Sequence, residues 1–564
     1  MTEHLSVCFI WHMHQPLYKD RLSGMYLMPW VRLHAIKDYL DMALILKGFP
    51  RVRQTFNLVP SLLEQLHDYA WNDAVDMQLL LTRKPQEQYT DADKLYILTE
   101  SFHANLERQI KPHVYYFELH QKRQRLLKRG LTMPTMIEEF SSQEYADMAA
   151  WMNLAWFDPL WLEQLPELET MVQQGREFTL DQRCRIIDEQ RRIIQQTIPV
   201  YKELQDSGQI EVITSPYYHP ILPLLIDSNV ARVASAYTSL PKQLFLHRED
   251  ALHQLQAGLS RYKNELGREA RGMWPSEMSV SPSALELIAQ CGIKWVVLDE
   301  ALLTKTLEQG VYRDEHGNLN GAELICQPYK LFVGDHSITL LFREVVLSNE
   351  ISFSYAGRPA DDAATALYMR LKHIQQRLFN WEREGCVVIA LDGENCWETY
   401  ERDGHPFLTE LYRRLSEDNT LNVCTVSDFL ERQPPTHELY NLQPGSWISA
   451  DFHIWIGDPQ KNKAWDLLSD TRRFLLEHLK SNQCDSEIKE KAWEEVYTAE
   501  GSDWFWWFGE PNNSEHDATF DQQFRLRLQN VYKLLGEPYP SILDMPLAEQ
   551  VMNKEETLKT VLAH

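Results

Sequence analysis

The sequence predicts an α/β fold in which short parallel strands are buried among helices. Six apolar runs rich in β-branched residues each stop at a polar residue, and stretches with helical periodicity separate them. These runs are SVCFIWH, VRQTFNL, IEVITSP, IKWVVLDE, CVVIALDGE and LNVCTVSD. Runs of this length and composition are typical of strands covered on both faces, so we expect a parallel sheet or barrel. In such folds the working side chains gather at the carboxyl ends of the strands.

A long helical stretch interrupts the strands. From residue 61 to residue 205 the strand signal disappears, and segments such as SLLEQLHDYA and RCRIIDEQRRIIQQTIPVYKEL have helical periodicity. Most connections between elements run to about 4–6 residues, so this stretch is predicted to be a helical insertion that could wall a cleft.

The main domain boundary is predicted in RQPPTHELYNLQPGSW, residues 432–447. Its three prolines each fix φ and remove a backbone donor. We therefore expect an α/β domain over residues 1–430 and a C-terminal helical domain over residues 431–564. In the second domain, Phe524, Leu528, Val531 and Leu535 fall on one helical face, and Gly536 follows as a stop signal.

Composition and charge exclude several classes of partner. The 564 residues include 56 Lys and Arg against 81 Asp and Glu, for a formal net charge of -25, which disfavours nucleic acid and anionic membranes. The sequence contains no uninterrupted stretch of about 18 apolar residues, so no membrane span is predicted. The eight scattered cysteines lack C-x-x-C spacing and the start of the chain lacks a secretory signal, so we expect reduced thiols in the cytoplasm. The sequence does not indicate an oligomeric state.

Four stretches combine aromatic rings with ionisable or amide groups. They are WHMHQP (11–16), GMWPSEMSVSP (272–282), ALDGENCW (390–397) and GSWISADFHIWIGDP (445–459). Carbohydrate sites need both kinds of group, because ring faces cover the apolar C–H patches of a sugar while polar groups bind its hydroxyls. The four stretches therefore predict a sugar-binding site.

Two carboxyl groups in these stretches are the candidate catalytic pair. Glu277 and Asp392 each lie at or just past the end of a predicted strand, and two facing carboxyls are the minimum equipment for glycoside hydrolysis. A carboxylate picked at random is more often a surface or capping group. Here the neighbouring Trp274 and Trp397 favour a functional site.

The histidines of the first strand have more than one interpretation. His12 and His14 share one side of the strand, because side chains alternate with period two. Together with His219 of SPYYHP they could form a metal site, and a metal-dependent amidohydrolase is therefore an alternative. A hydrogen-bonded core imidazole is the other alternative. The aromatic stretch SDWFWWFGE (502–510) favours helix packing over sugar stacking, because large aromatics dominate buried area.

Five stretches together resemble the signature stretches of glycoside hydrolase family 57, in order and spacing. They are WHMHQP, YYHP, GMWPSEMSVSP, ALDGENCW and GSWISADFHIWIGDP. The resemblance implies an incomplete TIM-like (β/α)7 barrel with a helical domain after it, and a retaining enzyme that needs no metal or other cofactor. By motif, Glu277 would be the nucleophile and Asp392 the general acid/base.

The resemblance also implies substrate-binding residues. His12 and His14 would hold the sugar at the cleavage point, and four further residues would line the subsites. These four are His219, Trp274, Trp397 and Trp447.

As the general acid, Asp392 must hold a proton. Because Asp has an ordinary pKa of about 3.9, the pKa of Asp392 must be raised, and we expect burial and negative neighbours such as Glu277 and Glu394 to raise it.

The predicted function is hydrolysis of α-1,4-glucosidic bonds in glycogen, starch or maltodextrin, with α-1,6 bonds as a further candidate. The same carboxyl pair would serve a 4-α-glucanotransferase or a branching enzyme, so transfer is the alternative. A glucan-binding protein without catalysis would not need both carboxyls.

Overall fold

The computed structural model describes residues 4–315, 317–481, 484–512, 514 and 516–547. Its strands are β1 (Leu5–Met13), β2 (Met25–Tyr26), β3 (Gln54–Leu58), β4 (Val75–Asp76), β5 (Ile210–Ile213), β6 (Gly272–Met273), β7 (Trp295–Asp299), β8 (Tyr312–Arg313), β9 (Leu319–Asn320), β10 (Tyr329–Val333), β11 (His336–Arg343), β12 (Gly385–Asp392), β13 (Leu421–Val423) and β14 (His437–Glu438).

Helices connect most of the longer strands. In the first half of the chain they are α1 (Trp30–Ala35), α2 (Asp38–Leu46), α3 (Pro60–Trp71), α4 (Met77–Arg83), α5 (Asp91–Glu100), α6 (Val114–Lys128), α7 (Ser142–Leu154), α8 (Pro159–Gln164), α9 (Pro166–Gln174), α10 (Leu180–Asp206), α11 (Leu222–Ile226), α12 (Val230–Ala234) and α13 (Arg248–Leu266). In the second half they are α14 (Pro282–Gln290), α15 (Glu300–Leu307), α16 (Ala322–Ile325), α17 (Val345–Phe353), α18 (Ala360–Arg377), α19 (His405–Glu417), α20 (Val426–Arg432), α21 (Pro459–Ser481), α22 (Ser486–Ala499), α23 (Ser502–Trp506) and α24 (Asp517–Leu534). Among the described residues, no helix is both long enough and apolar enough to cross a bilayer.

The fold is α/β, with parallel strands at its centre. One sheet has the order β12-β1-β3-β5, with β13 beside β1, and these pairs are parallel. A second sheet has the order β14-β10-β11-β7-β6, in which β11, β7 and β6 are parallel and β10 and β11 are antiparallel. A parallel bridge between Thr214 and Met273 links β5 to β6. Just after β11, the Glu344 amide donates to the Val388 carbonyl of β12 at 2.7 Å.

Strand β1 shows why these residues form a doubly covered strand. All nine of its residues are buried. Cys8 and Ile10 belong to a small inner core, whereas Val7, Phe9 and Trp11 belong to the main core that includes helix residues. Because side chains alternate, His12 continues the inner face at the carboxyl end of the strand.

The six predicted strands are confirmed as β1, β3, β5, β7, β12 and β13. Between β3 and β5 the chain forms α3 to α10 with only the two-residue β4 among them, as the helical pattern predicted. In α24, Phe524, Leu528 and Val531 are buried on one face. The domain limits at 430/431 and at 61–205 stay predictions.

Candidate active site

A cavity of about 320 Å³ opens where β1 and β12 end. Six of the eight predicted site residues line it: His12, His14, His219, Glu277, Asp392 and Trp447. The sheet register explains part of this convergence, because His12 of β1 lies directly beside Asp392 of β12. The structure therefore brings together groups that the sequence separates by up to hundreds of residues.

His12 and His219 are neutral imidazoles held in fixed positions. The His12 ring stacks on Trp274, with centroids 4.5 Å apart, and its Nδ1 lies 2.6 Å from the amide nitrogen of Asn57. Burial, with a contribution from His14, lowers the pKa of His12 well below its ordinary value. Burial likewise lowers the pKa of His219, with smaller contributions from His14 and His12. Both rings can then donate hydrogen bonds to neutral groups and accept them while remaining uncharged.

Glu277 follows β6 in a strained turn. Its φ is 56° and that of Met278 is 48°, so two successive residues other than glycine occupy the left-handed region. The turn presents the carboxylate to two donors: Trp447 Nε1 lies 2.9 Å from Oε2, and Ser502 Oγ lies 3.1 Å from Oε1. Backbone strain of this kind is commonly found at functional sites.

The surroundings of Glu277 disfavour its ionised form. Burial raises its pKa most, and the negative charges of Asp503 and Asp392 add to this effect. The hydrogen bonds from Ser502 and Trp447 oppose it, and the net result is a pKa of about 8.

Asp392 is partly open to the cavity, and its surroundings differ from those expected. Burial raises its pKa, as predicted, but Arg343, His14 and a hydrogen bond from Asn395 lower it. Neither Glu277 nor Glu394 is among the groups that raise the pKa of Asp392. Instead, the negative charge of Asp392 raises the pKa of Glu277 and of Glu394. Because the pKa of Glu277 is raised to about 8, a proton shared by the pair favours Glu277 over Asp392, the reverse of the expected order.

Glu394 is a third carboxyl in the cavity wall. Burial raises its pKa well above the ordinary range, and Asp392 adds to this effect. It accepts hydrogen bonds from Gln15 Nε2 at 3.0 Å and from the His14 amide at 3.2 Å. Glu394 thus ties the end of β1 to the loop after β12.

Residues at or near α23 and α24 complete the cavity, although they were not among the predicted site residues. Asp503 Oδ1 lies 2.8 Å from His14 Nε2, and half-buried Trp506 and Trp507 line the cavity beside Phe520. The aromatic stretch 502–510 therefore has two roles, because Trp504 and Phe505 are buried as predicted for helix packing. The sequence did contain a signal for this placement: positions 503, 506 and 507 are spaced three and four apart, and residues with this spacing share a helix face.

Trp274 and Trp397 lie behind the cavity wall. Both are fully buried, so neither offers an open ring face to a sugar. Trp274 backs His12 and meets Trp447 edge to face at 5.6 Å. Trp397 donates from Nε1 to the Gly393 carbonyl at 2.7 Å, so it braces the loop after Asp392.

The arrangement of the imidazoles does not fit a metal centre. His14, His219 and Asp503 bring three possible ligand atoms within 4.8 Å of one another. However, the two rings stack with centroids 4.0 Å apart and an interplanar angle of 28°. Their lone pairs lie in the ring planes and so run side by side, whereas metal ligands must converge on one ion.

Comparison with known proteins identifies the family. The model for glycosyl hydrolase family 57 matches residues 8–442. An alpha-amylase of Pyrococcus abyssi is 24% identical over 249 residues, which cover 43% of this chain and 31% of that protein. A 4-alpha-glucanotransferase of Thermococcus kodakarensis is 24% identical over 243 residues, with the same coverage of 43% and 31%. The match thus spans about a third of the length of these relatives.

A solved structure has the same fold over most of the chain. A branching enzyme of this family from Thermococcus kodakaraensis, in complex with glucose, superposes with a TM-score of 0.59 at 14% identity. The superposition covers 94% of this chain and 90% of the other.

Proposed function

Because the chain belongs to glycosyl hydrolase family 57, we propose that it cleaves α-1,4-glucosidic bonds in glycogen, starch or maltodextrin with retention of configuration. The observation that carries this proposal is that Glu277 and Asp392 meet in one cavity beside three imidazoles. A carboxyl pair of this kind supports acid/base and nucleophilic steps on one sugar. Cleavage of α-1,6 bonds is a further candidate, and the cytoplasm is the expected location.

In the proposed mechanism, Asp392 donates a proton to the glycosidic oxygen while the carboxylate of Glu277 attacks the anomeric carbon. The leaving sugar departs with the proton, and water activated by Asp392 then opens the glycosyl-enzyme. The competent form of the pair carries a single proton, located on Asp392. Burial and nearby charge otherwise place that proton on Glu277. The hydrogen bonds from Trp447 and Ser502 oppose this by stabilising the ionised form of Glu277.

We propose that the imidazoles bind sugar hydroxyls. His14 Nδ1 and His219 Nε2 are buried and have no protein partner among the described residues. A buried nitrogen without a partner is costly, and a hydroxyl group in the cavity would remove that cost. The proposed stacking surfaces are Trp447, Trp506 and Trp507, since their rings are only half-buried.

We also propose that seven parallel strands form an incomplete (β/α)7 barrel around the inner core. They are β1, β3, β5, β6, β7, β11 and β12. The bridge between Thr214 and Met273 and the hydrogen bond from Glu344 to Val388 support this closure, because each joins the two sheets. The proposed domains remain a barrel over residues 1–430 with an insertion at 61–205, and a helical domain over 431–564.

Transfer to a second sugar, by a 4-α-glucanotransferase or branching enzyme, is the second candidate. Trp506 and Trp507 favour it, because aromatic rings beside the pair could hold an acceptor sugar against the glycosyl-enzyme. The outcome depends on whether water or a sugar hydroxyl reaches that intermediate.

Incubation with maltoheptaose tests the proposal. Products shorter than the substrate support hydrolysis, and longer or branched products support transfer. Glu277→Gln should remove this activity, whereas Glu286→Gln, on the outer helix α14, should retain it. An unchanged substrate with folded wild-type protein would contradict the proposal, and activity that a chelator abolishes would instead support the amidohydrolase alternative.

A further inference from the structure

Helix α23 joins the cavity from far along the chain. We propose that Ser502 and Asp503 are positioning residues of the catalytic centre: Ser502 holds the carboxylate of Glu277, and Asp503 holds the imidazole of His14. This inference rests on the proposed glycosidase function. It adds that the centre is incomplete without the C-terminal helices.

Ser502 is fixed from both sides by His219. The Ser502 amide donates to the His219 carbonyl at 3.0 Å, and Ser502 Oγ lies 3.0 Å from His219 Nδ1. In the ionised form that the proposed mechanism requires, Glu277 can only accept, so the hydroxyl donates to Glu277 and accepts from the Nδ1–H of His219. The result is a directed chain of hydrogen bonds from His219 through Ser502 to Glu277.

The backbone before Ser502 has little freedom to move. Gly501 forms an antiparallel bridge with Pro220, and a Cβ at position 501 would lie 2.8 Å from the Tyr218 carbonyl oxygen. Only glycine allows this close approach. Helix α23 is therefore docked on the loop after β5, which also carries His219.

Asp503 sets the proton position on His14. Its Oδ1 lies 2.8 Å from His14 Nε2, and because the carboxylate accepts, Nε2 must carry the proton. Nδ1 is then the ring nitrogen left for a substrate, since it is buried and has no partner among the described residues. Asp503 thus presents His14 to a sugar hydroxyl in one defined orientation.

The two residues influence Glu277 in opposite directions. The hydrogen bond from Ser502 favours the ionised carboxylate, whereas the negative charge of Asp503 disfavours it. Charged or titratable groups of several surrounding elements lie near the same carboxylate. They are Asp503 of α23, Asp392 of β12 with Arg343 of β11 beside it, His219 after β5, and His14 after β1.

The pH dependence of kcat/KM on maltoheptaose tests this inference. Ser502→Ala should move the alkaline limb to higher pH and lower the maximum about tenfold or more, because a hydrogen bond to a charged group is lost. Asp503→Asn should move the same limb to lower pH. The exposed residues Ser486 and Asp470 provide matched controls, as Ser486→Ala and Asp470→Asn, and their limbs should not move.

Conservative variants separate positioning from folding. Ser502→Thr keeps the hydroxyl and Asp503→Glu keeps the charge, so both should return the limb toward its wild-type position. If Ser502→Ala does not fold, Ser502→Cys is used in its place, because cysteine has a volume similar to that of serine and is a much weaker donor. This inference alone would be overturned if, in folded variants of an active enzyme, the alkaline limbs stayed in place or moved in the same direction. A wild type inactive on every α-glucan would overturn the proposed function with it.

Discussion

Trp447 donates two hydrogen bonds to Glu277. The indole Nε1 donates to the side-chain Oε2 at 2.9 Å, and the Trp447 amide donates to the Glu277 carbonyl at 3.0 Å. A bridge between Val280 and Gly445 holds the two segments together nearby. The proline-rich segment predicted as a domain boundary thus ends in a residue that fixes the nucleophile proposed here.

Trp447→Phe should lower kcat on maltoheptaose about tenfold or more. The substitution keeps an aromatic ring for stacking but removes a donor to a charged group. KM should change less than kcat, because the ring surface remains. Trp71→Phe is the matched control, since Trp71 is exposed at the end of α3. A wild-type kcat for Trp447→Phe would contradict a role for this hydrogen bond.

The wild-type enzyme should give a bell-shaped pH profile of kcat/KM. The competent pair carries one proton, so activity falls when the pair gains a second proton and falls again when it loses the last one. The last proton belongs to the group with the higher pKa, which is Glu277 at about 8. The alkaline limb should therefore lie near pH 8. The acid limb should lie above the ordinary Asp range, because burial raises the pKa of Asp392. Activity that keeps rising well beyond the alkaline limb would contradict the single-proton form.

Asp392→Asn should separate the two chemical steps. Without a proton donor, cleavage of maltoheptaose should nearly cease, because the leaving oxygen then departs as an anion. A 4-nitrophenyl α-maltooligoside has a good leaving group and needs no such proton, so its first step should survive. A burst of nitrophenol followed by slow turnover is the expected measurement. Equal losses on both substrates would place Asp392 in another role.

The parts of the fold that carried local signals could be predicted from the sequence. The strand SVCFIWH was recognisable because nearly every position is apolar, which reflects burial on both faces. Strand β6 could not be recognised, because it has two residues and begins with glycine. Strand β11 starts with exposed residues, so its apolar run is shorter than the strand.

The structure brings together the predicted site residues that lie at strand ends, whereas two of the predicted tryptophans lie behind the cavity wall. His12 and Asp392 are neighbours through sheet register, which topology implies. Trp274 and Trp397 lie near the proposed catalytic carboxyls in sequence, yet both rings are buried in the core. Asp503 could not be placed, because its contact with His14 depends on how α23 docks against the strands, and no local pattern encodes that docking.

Gly272→Ala should destabilise the protein. A Cβ at position 272 would lie 2.2 Å from the ring of Trp295. That ring is buried, and its Nε1 is bonded to Ser427 Oγ at 3.1 Å, so it has little room to move. Overpacking of this kind costs about 1–3 kcal/mol of unfolding free energy, measurable by urea denaturation.

The same substitution should also reach the active site, because β6 leads directly to the strained turn at Glu277. We expect kcat to fall together with stability, since a small shift of the turn lengthens the hydrogen bonds from Trp447 and Ser502. Gly357→Ala is the matched control: no heavy atom lies within 4 Å of its Cβ, and its φ is not positive. That variant should keep its stability within about 0.5 kcal/mol. Equal stabilities for the two variants would mean that the strand tolerates a side chain at position 272 and that the Trp295 ring can move aside.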